Sequence, residues 1–263
     1  MKDLKILKNI DLFLLDMDGT IYLDNDVFDG TYELLDKIKK ENKRYIFLTN
    51  NSSKDKKAYL EKLHMLKIDA NDENIFTSGM AMGMHLNKNY KNKKVYLVGT
   101  NHLKRELESY NINLVDDNPD IVLVGFDMEL TYEKLEKACE YIDNGALFLA
   151  TNTDFVCPIK NKRYIPDCGS ICILIENATG KKPKFIGKPE PDMINILLDK
   201  YNIKKERCAM IGDRVYTDIA SGFNAKVNTI CVLSGESNLD TIDKSDIKPD
   251  FVFNSIKDLI DLI

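Results

Sequence analysis

Apolar positions along this chain fall into two spacings. Short, mostly continuous runs occur at 12–16 (LFLLD), 44–49 (RYIFLT), 94–99 (KVYLVG), 120–126 (DIVLVGF), 146–151 (ALFLAT), 184–187 (KFIG), 208–213 (CAMIGD) and 229–233 (TICVL). Several are continuous instead of alternating, which predicts strands buried on both faces of a parallel sheet. Between them the spacing becomes helical. TYELLDKIKKEN places Leu34, Leu35 and Ile38 on one face, and TYEKLEKACEYIDN does the same with Leu135, Ala138, Cys139 and Ile142. Strand–helix alternation of this kind predicts an α/β, doubly wound fold with a parallel sheet.

In open parallel sheets, ligands bind beyond the carboxyl ends of the strands. Polar groups gather after four of the runs: Asp16-Met17-Asp18-Gly19-Thr20, Thr49-Asn50-Asn51-Ser52-Ser53, Lys188-Pro189, and Gly212-Asp213-Arg214 with Thr217-Asp218. The ends of KVYLVG and DIVLVGF are much less organised. The contrast divides the chain into a site-bearing core, 1–79 and 182–263, and an inserted α/β unit, 80–181, whose own alternation implies a second core.

Composition narrows the classes of function. The chain has 263 residues, 44% of them hydrophobic and 30% charged, as in ordinary globular proteins. Net charge is −5 and no basic stripe with interleaved aromatics occurs, so nucleic acid is not an expected partner. An anionic substrate would need a local positive site. The six cysteines form no C-x-x-C pair and read as reduced thiols of a cytoplasmic protein. Cys157, Cys168 and Cys172 lack the fourth ligand that a structural zinc site requires. The opening residues lack the continuous apolar stretch of a signal peptide, and no run approaches ~18 apolar residues, so no membrane partner is expected.

The chemistry concentrates at the strand ends. Two carboxylates spaced by one residue, Asp16 and Asp18, repel each other unless a cation or a reaction uses them. Taken with Thr49, Asn50, Lys188, Asp213 and Asp218 they form a kit for phosphoryl transfer, which needs a nucleophile, a cation and groups that hold the phosphate oxygens. Oxygens of Asp16 and Asp213 suit Mg²⁺. An aspartate can attack phosphorus itself, and a second one can shuttle the proton. Lys188 offers a compact charge. Asn51, Ser52 and Ser53 read equally well as helix caps, since SSKDKKAYLEKL has the look of a helix start. His64, His85 and His102 show no catalytic pairing, and Met80, Met82 and Met84 read as core. Gly99 and Gly125 end strands without a G-x-G-x-x-G run, which disfavours a dinucleotide site.

DMDGT, FLTNNSS, GKPEPDM and GDRVYTDI, in this order, resemble the four signature motifs of the haloacid dehalogenase (HAD) superfamily. LATNTDFVCP followed by ENATGKKPKFIGKPEP resembles its NagD and 4-nitrophenyl phosphatase branch, which carries a large α/β cap between the second and third motifs. The resemblance covers essentially the whole chain. It implies an Mg²⁺-dependent phosphatase acting on a small phosphorylated metabolite through an aspartyl-phosphate. Asp16 matches the nucleophile and a metal ligand. Asp18 matches the general acid/base, with its carbonyl on the metal. Thr49 and Asn50 match the phosphate-binding motif, with Asn51 beside them, and Lys188 matches the third-motif lysine. Asp213 matches the carboxylate metal ligand and Asp218 the acid that orients metal waters or Lys188. Thr153, Asp154, Pro158, Gly169 and Ser170 are the cap residues expected to face the substrate. Asp167 and Cys168 stand where relatives carry a Pro-Gly-x-Gly turn, a departure that bears on substrate identity. A phosphotransferase using the same intermediate and a non-catalytic phosphoester sensor are the competing readings. Homodimers through the cap occur in this branch, and a homodimer is the corresponding expectation here.

Overall fold

A computed structural model describes residues 2–159 and 163–263. Met1, in the expected core, and residues 160–162, in the expected insertion, lie outside the described residues. The run that ends at Asp16 is a strand, Leu12–Leu15, with all four side chains buried. Full burial of side chains of this size contributes ~1.5–3 kcal/mol each, so the strand is a firm base for the polar loop at its carboxyl end. It lies inside a six-stranded sheet ordered Phe251–Phe253, Asn228–Val232, Cys208–Gly212, Leu12–Leu15, Arg44–Thr49, Ile75–Thr77. Its neighbours are parallel: Leu15 pairs with Ile211 on one side and Phe47 on the other. Strand order reverses between Leu12–Leu15 and Cys208–Gly212, and the carboxyl ends at such a switch point form a crevice for ligands.

The chain divides into two compact units, Met1–Thr49 with Leu60–Phe76 and Lys188–Ile263, and Asn50–Tyr59 with Thr77–Gly187. The second has its own five-stranded parallel sheet, ordered Lys184–Phe185, Leu147–Ala150, Ile121–Val124, Lys94–Val98, Asn113–Leu114. A two-stranded antiparallel ribbon, Val156–Ile159 with Arg163–Pro166, belongs to the same unit. The architecture is therefore α/β, a doubly wound parallel core with an inserted α/β unit.

The helices follow the apolar stripes. Thr31–Lys40 buries Leu34, Leu35 and Ile38. Tyr132–Asp143 buries Ala138 and Ile142, with Leu135 and Cys139 packed partly against the same core, and the Thr131 side chain caps its start by accepting from Lys134 N. Two local features differ from expectation. The KFIG strand pairs as Lys184–Phe185 with Leu149 and Ala150 of the second sheet, because Phe185 packs against that unit's core. The helix anticipated from Ser52 onward is Lys56–Met65, opened by Asp55, whose carboxylate accepts from Ala58 N at 2.9 Å. Ser52 is instead buried in the second unit. Its hydroxyl accepts from Phe126 N at 2.9 Å and lies 2.9 Å from the Thr151 hydroxyl.

Candidate active site

Three strand ends of the first unit converge on one lysine. Lys188 is 2% exposed. Its ammonium donates to Asp16 Oδ1 at 2.6 Å, to Asp218 Oδ1 at 2.7 Å and to the carbonyl of Leu48 at 3.1 Å. Three hydrogens thus meet three acceptors, which is the full donor capacity of an ammonium. Asp16 follows Leu12–Leu15, Leu48 lies in Arg44–Thr49, and Asp218 lies beyond Cys208–Gly212. Carboxylate oxygens of Asp16, Asp213 and Asp218 come within 4.8 Å of one another.

Local backbone geometry produces this convergence. Val215–Ile219 forms a π-helical turn, with Asp218 N and Ile219 N both donating to Arg214 O. Such turns interrupt helical periodicity and recur at functional sites. Here the turn brings Asp218 against the strand, so close that a Cβ on Gly212 would lie 2.3 Å from the Cβ of Asp218. Arg214 N donates to Asp218 Oδ2 at 3.1 Å. Asp213 accepts from Glu236 N at 2.8 Å and from the Thr20 hydroxyl at 3.4 Å. Gly19 turns the chain beside it with φ of 95°, and a Cβ there would lie 2.5 Å from Asp213 Oδ2. Only glycine meets both demands at that position.

The electrostatics arise from packing carboxylates together away from water. Burial, with the charges of Asp218 and Asp213, pushes the Asp16 carboxyl well above the usual carboxylate range, against the pull of Lys188 and Arg214. Burial and Asp218 push Asp213 up to about 6, although the Glu236 N–H favours its charged form. Burial works to lower the Lys188 pKa, but Asp16 and Asp218 outweigh it and hold the value above that of an ordinary lysine. An all-oxygen set with this excess of negative charge fits a hard divalent cation. Among the described residues this is the cluster of three metal-ligating side chains, and no cysteine takes part.

The other expected residues fall in several places. Asp18 stands outside the three-carboxylate cluster. Its carboxylate is about half exposed and lies 3.7 Å from Lys62 Nζ, which in turn sits over the Tyr22 ring. Thr49 is buried at its strand end. Asn50 belongs to the second unit and donates from its amide to Asp154 Oδ2 at 2.7 Å. Asn51 accepts from the Ser53 backbone and hydroxyl, at 3.0 and 2.6 Å, in a local turn. Pro158 is exposed on the antiparallel ribbon. Gly169 and Ser170 lie in the first turn of Cys168–Thr179, with Gly169 N on Asp154 O at 2.8 Å and the Ser170 hydroxyl on Phe155 O at 2.5 Å. Thr153 is half-buried, and a Cβ on Gly169 would lie 2.4 Å from its carbonyl. Asp167, at the departure from the family turn, caps that helix by accepting from Cys168 N at 2.5 Å.

Two cations went unassigned in the sequence. Arg214 feels the charges of Asp16, Asp218 and Asp213. A positive residue directly after a strand-end carboxylate was the available signal. Lys62 gave none, because lysines are scattered over the helix that carries it.

Comparison with known proteins agrees with this geometry. Residues 13–113 match a model of haloacid dehalogenase-like hydrolases, and residues 185–259 match a HAD-hydrolase-like model. An acid sugar phosphatase of Staphylococcus epidermidis is 35% identical over 95% of this chain and 96% of its own length. A 4-nitrophenylphosphatase of Thermotoga maritima superposes with a TM-score of 0.94 at 42% identity, covering 97% of this chain and 98% of the other. NagD of E. coli K-12 superposes at 0.89 with 34% identity, over 97% and 99%. With motifs, sheet order and near full-length similarity in agreement, this chain belongs to the haloacid dehalogenase-like hydrolases, in their NagD and 4-nitrophenyl phosphatase branch.

Proposed function

We propose that this phosphatase hydrolyses a small phosphate monoester through an aspartyl-phosphate on Asp16. The observation that carries the reading is Lys188, whose buried ammonium bridges Asp16 and Asp218 beside Asp213 at the sheet's switch point. In the first half-reaction a carboxylate oxygen of Asp16 forms a bond to phosphorus while the ester P–O bond breaks. Asp18 gives its proton to the departing alkoxide. In the second, Asp18 takes a proton from a water, the water oxygen bonds to phosphorus, and Asp16 leaves with phosphate released. The Thr49 hydroxyl holds a phosphate oxygen, Lys188 sets its positive charge beside Asp16 and the phosphate, and Asp218 keeps Lys188 aimed. Asp16, Asp213 and the Asp18 carbonyl would hold Mg²⁺. The bound cation would offset the carboxylate repulsion and the charge that develops on phosphate.

The substrate class we favour is a sugar phosphate or a similarly small metabolite, in keeping with the relative named acid sugar phosphatase. Residues 80–181 are the segment we assign to substrate choice. The test is turnover of 4-nitrophenyl phosphate with Mg²⁺ and with EDTA, beside Asp16→Asn, and then a panel of phosphometabolites. Mg²⁺-dependent turnover that Asp16→Asn abolishes is the expected result. Turnover by Asp16→Asn at the wild-type rate would remove Asp16 as nucleophile. Added glycerol, assayed for glycerol phosphate, separates hydrolysis from transfer.

A further inference from the structure

Beside the carboxylate cluster stands an arginine that the proposed reaction does not use. Arg214 directly follows Asp213, and the charges of Asp16, Asp218, Asp213 and Glu236 all favour its cationic form. Every one of these residues belongs to the first unit. A guanidinium keeps its proton at any working pH, and its planar fork suits carboxylates. Arg214 is therefore a standing competitor for the seat that Asp16, Asp213 and Asp218 offer a divalent cation. An arginine so placed leaves that seat open when another anion holds it aside.

Arg214 has such a partner outside the cluster. Glu236 Oε2 lies 2.9 Å from Arg214 Nε, and Glu236 Oε1 accepts from the Tyr216 hydroxyl at 2.7 Å. Both oxygens of this carboxylate are thus engaged, one of them by the arginine. The Arg214 side chain is 21% exposed and that of Glu236 49%, so the pair is partly withdrawn from water. The backbone fixes where Glu236 stands. Glu236 N donates to Asp213 Oδ2 at 2.8 Å, and Ser237 N donates to Asp213 O at 3.1 Å. The Ser237 hydroxyl is buried and accepts from Val215 N at 3.2 Å. The Ser234 hydroxyl donates to Gly19 O at 2.9 Å, and a Cβ on Gly235 would strike Asp213 Oδ2. The loop 234–237 is therefore moulded onto the turns that carry Gly19 and Asp213, and it delivers the Glu236 carboxylate to Arg214.

Resting on the phosphatase reading above, and on its cation seat in particular, we infer that Glu236 is a positioning residue whose carboxylate holds Arg214 aside, so that Asp16, Asp213 and Asp218 stay open to Mg²⁺. Without that carboxylate the guanidinium turns to the other anions that pull on it, which are the cluster itself. Glu236 acts through Arg214. That separates it from a charge that merely attracts Mg²⁺ across space.

A double-mutant cycle on the full chain tests this. The proteins are wild type, Glu236→Gln, Arg214→Met and the double variant Glu236→Gln/Arg214→Met. The readouts are Mg²⁺ binding by calorimetry, urea unfolding in EDTA, and turnover of 4-nitrophenyl phosphate across Mg²⁺ concentrations. Glu236→Gln should bind Mg²⁺ roughly five- to tenfold more weakly, the scale of one partly exposed charged contact. Its kcat should return to the wild-type value at high Mg²⁺. Arg214→Met should bind Mg²⁺ at least as tightly as wild type. In that background the Glu236 substitution should change Mg²⁺ binding by less than about twofold, because the arginine through which it acts is gone. Arg214→Gln takes the place of Arg214→Met if the latter does not fold. An equal loss of Mg²⁺ binding in both backgrounds would overturn the inference, since it marks the bare field of one removed charge. Stability lost in EDTA with Mg²⁺ binding unchanged would overturn it too, since that marks a structural role. Wild type that binds Mg²⁺ without hydrolysing any ester would sink the proposed reaction alone, and the binding cycle would still decide the role of Glu236. Wild type that binds no Mg²⁺ would remove the cation seat, and this inference with it.

Discussion

Lys188→Met keeps much of the side-chain volume and removes the charge that joins three strand ends. At 2.6 and 2.7 Å, each ammonium–carboxylate contact is worth roughly 6 kcal/mol of gross attraction at an effective dielectric of 20. Desolvation of the buried ions cancels much of that sum. The substitution exposes the cost of leaving Asp16 and Asp218 without their partner, ~3–5 kcal/mol for a broken buried pair. The Leu48 carbonyl loses a donor at the same time.

The pH dependence gives the sharper check. Lys188 has a raised pKa, so its stabilising charge is complete below the ordinary lysine value and is lost as pH rises from there through the folded one. It supplies no slope between pH 5 and 8. Asp16 is a raised acid, so stability falls as pH rises from the ordinary carboxylate value through the folded one. Without Lys188 that window extends further upward. Urea unfolding in EDTA should find Lys188→Met ~3–5 kcal/mol less stable than wild type at pH 8. At pH 5 the deficit should be smaller by at least ~1.4 kcal/mol, the equivalent of one further unit of upward shift. Turnover should fall by ~10²–10³. A deficit below ~1 kcal/mol, or one identical at the two pH values, would refute the account of Lys188 as a buried counter-ion.

Four further outcomes rest on local geometry and burial. Asp213→Asn should lose turnover yet unfold later than wild type in EDTA. Asp213 is raised to about 6, so the cost of its charge appears between the ordinary carboxylate value and 6 and is complete above that, an upper estimate of ~3 kcal/mol at pH 8 and little at pH 4; thermal unfolding at the two pH values reads it. Gly212→Ala should lower activity more than tenfold and cost ~1–3 kcal/mol, because the new Cβ strikes Asp218. Gly145→Ala, with φ of 97° and nothing within 4 Å, should cost ~1 kcal/mol and leave kcat/KM unchanged. Glu106 of the second unit is raised to about 7 by burial, against hydrogen bonds from Thr77 and Lys56 N. Wild-type stability should therefore drop as pH rises from about 4.5 to 7, and Glu106→Gln should flatten that slope by up to ~3 kcal/mol, measured by urea unfolding across the range.

Most of the fold was legible because long buried strands leave a long apolar signature. Leu12–Leu15, Arg44–Thr49 and Cys208–Gly212 are continuous runs that two-sided burial requires. Ile75–Thr77 and Phe251–Phe253 were not foreseen, since three residues are too few to show a period. The antiparallel ribbon Val156–Ile159 with Arg163–Pro166 is largely exposed and includes two prolines, so neither alternation nor propensity announces it. KFIG was read with the wrong sheet because its apolar residues say that it is buried, not against which core. Side-chain packing of Phe185 decides that.

The site was legible to the extent that its residues follow strands, and opaque where chemistry depends on who meets whom. Position after a buried strand already nominates Asp16, Thr49 and Asp213, because the sheet carries those ends to one edge whatever the loops do. That Lys188 would use one hydrogen on a main-chain carbonyl depends on contacts 140 residues apart in sequence. Asp154 shows the same limit from the other side. In the sequence it is an acidic residue in a loop, open to substrate. In the fold its Oδ2 accepts from the amides of Asn50 and Asn152, and the first of these lies 104 residues away in sequence, beyond the reach of any local pattern.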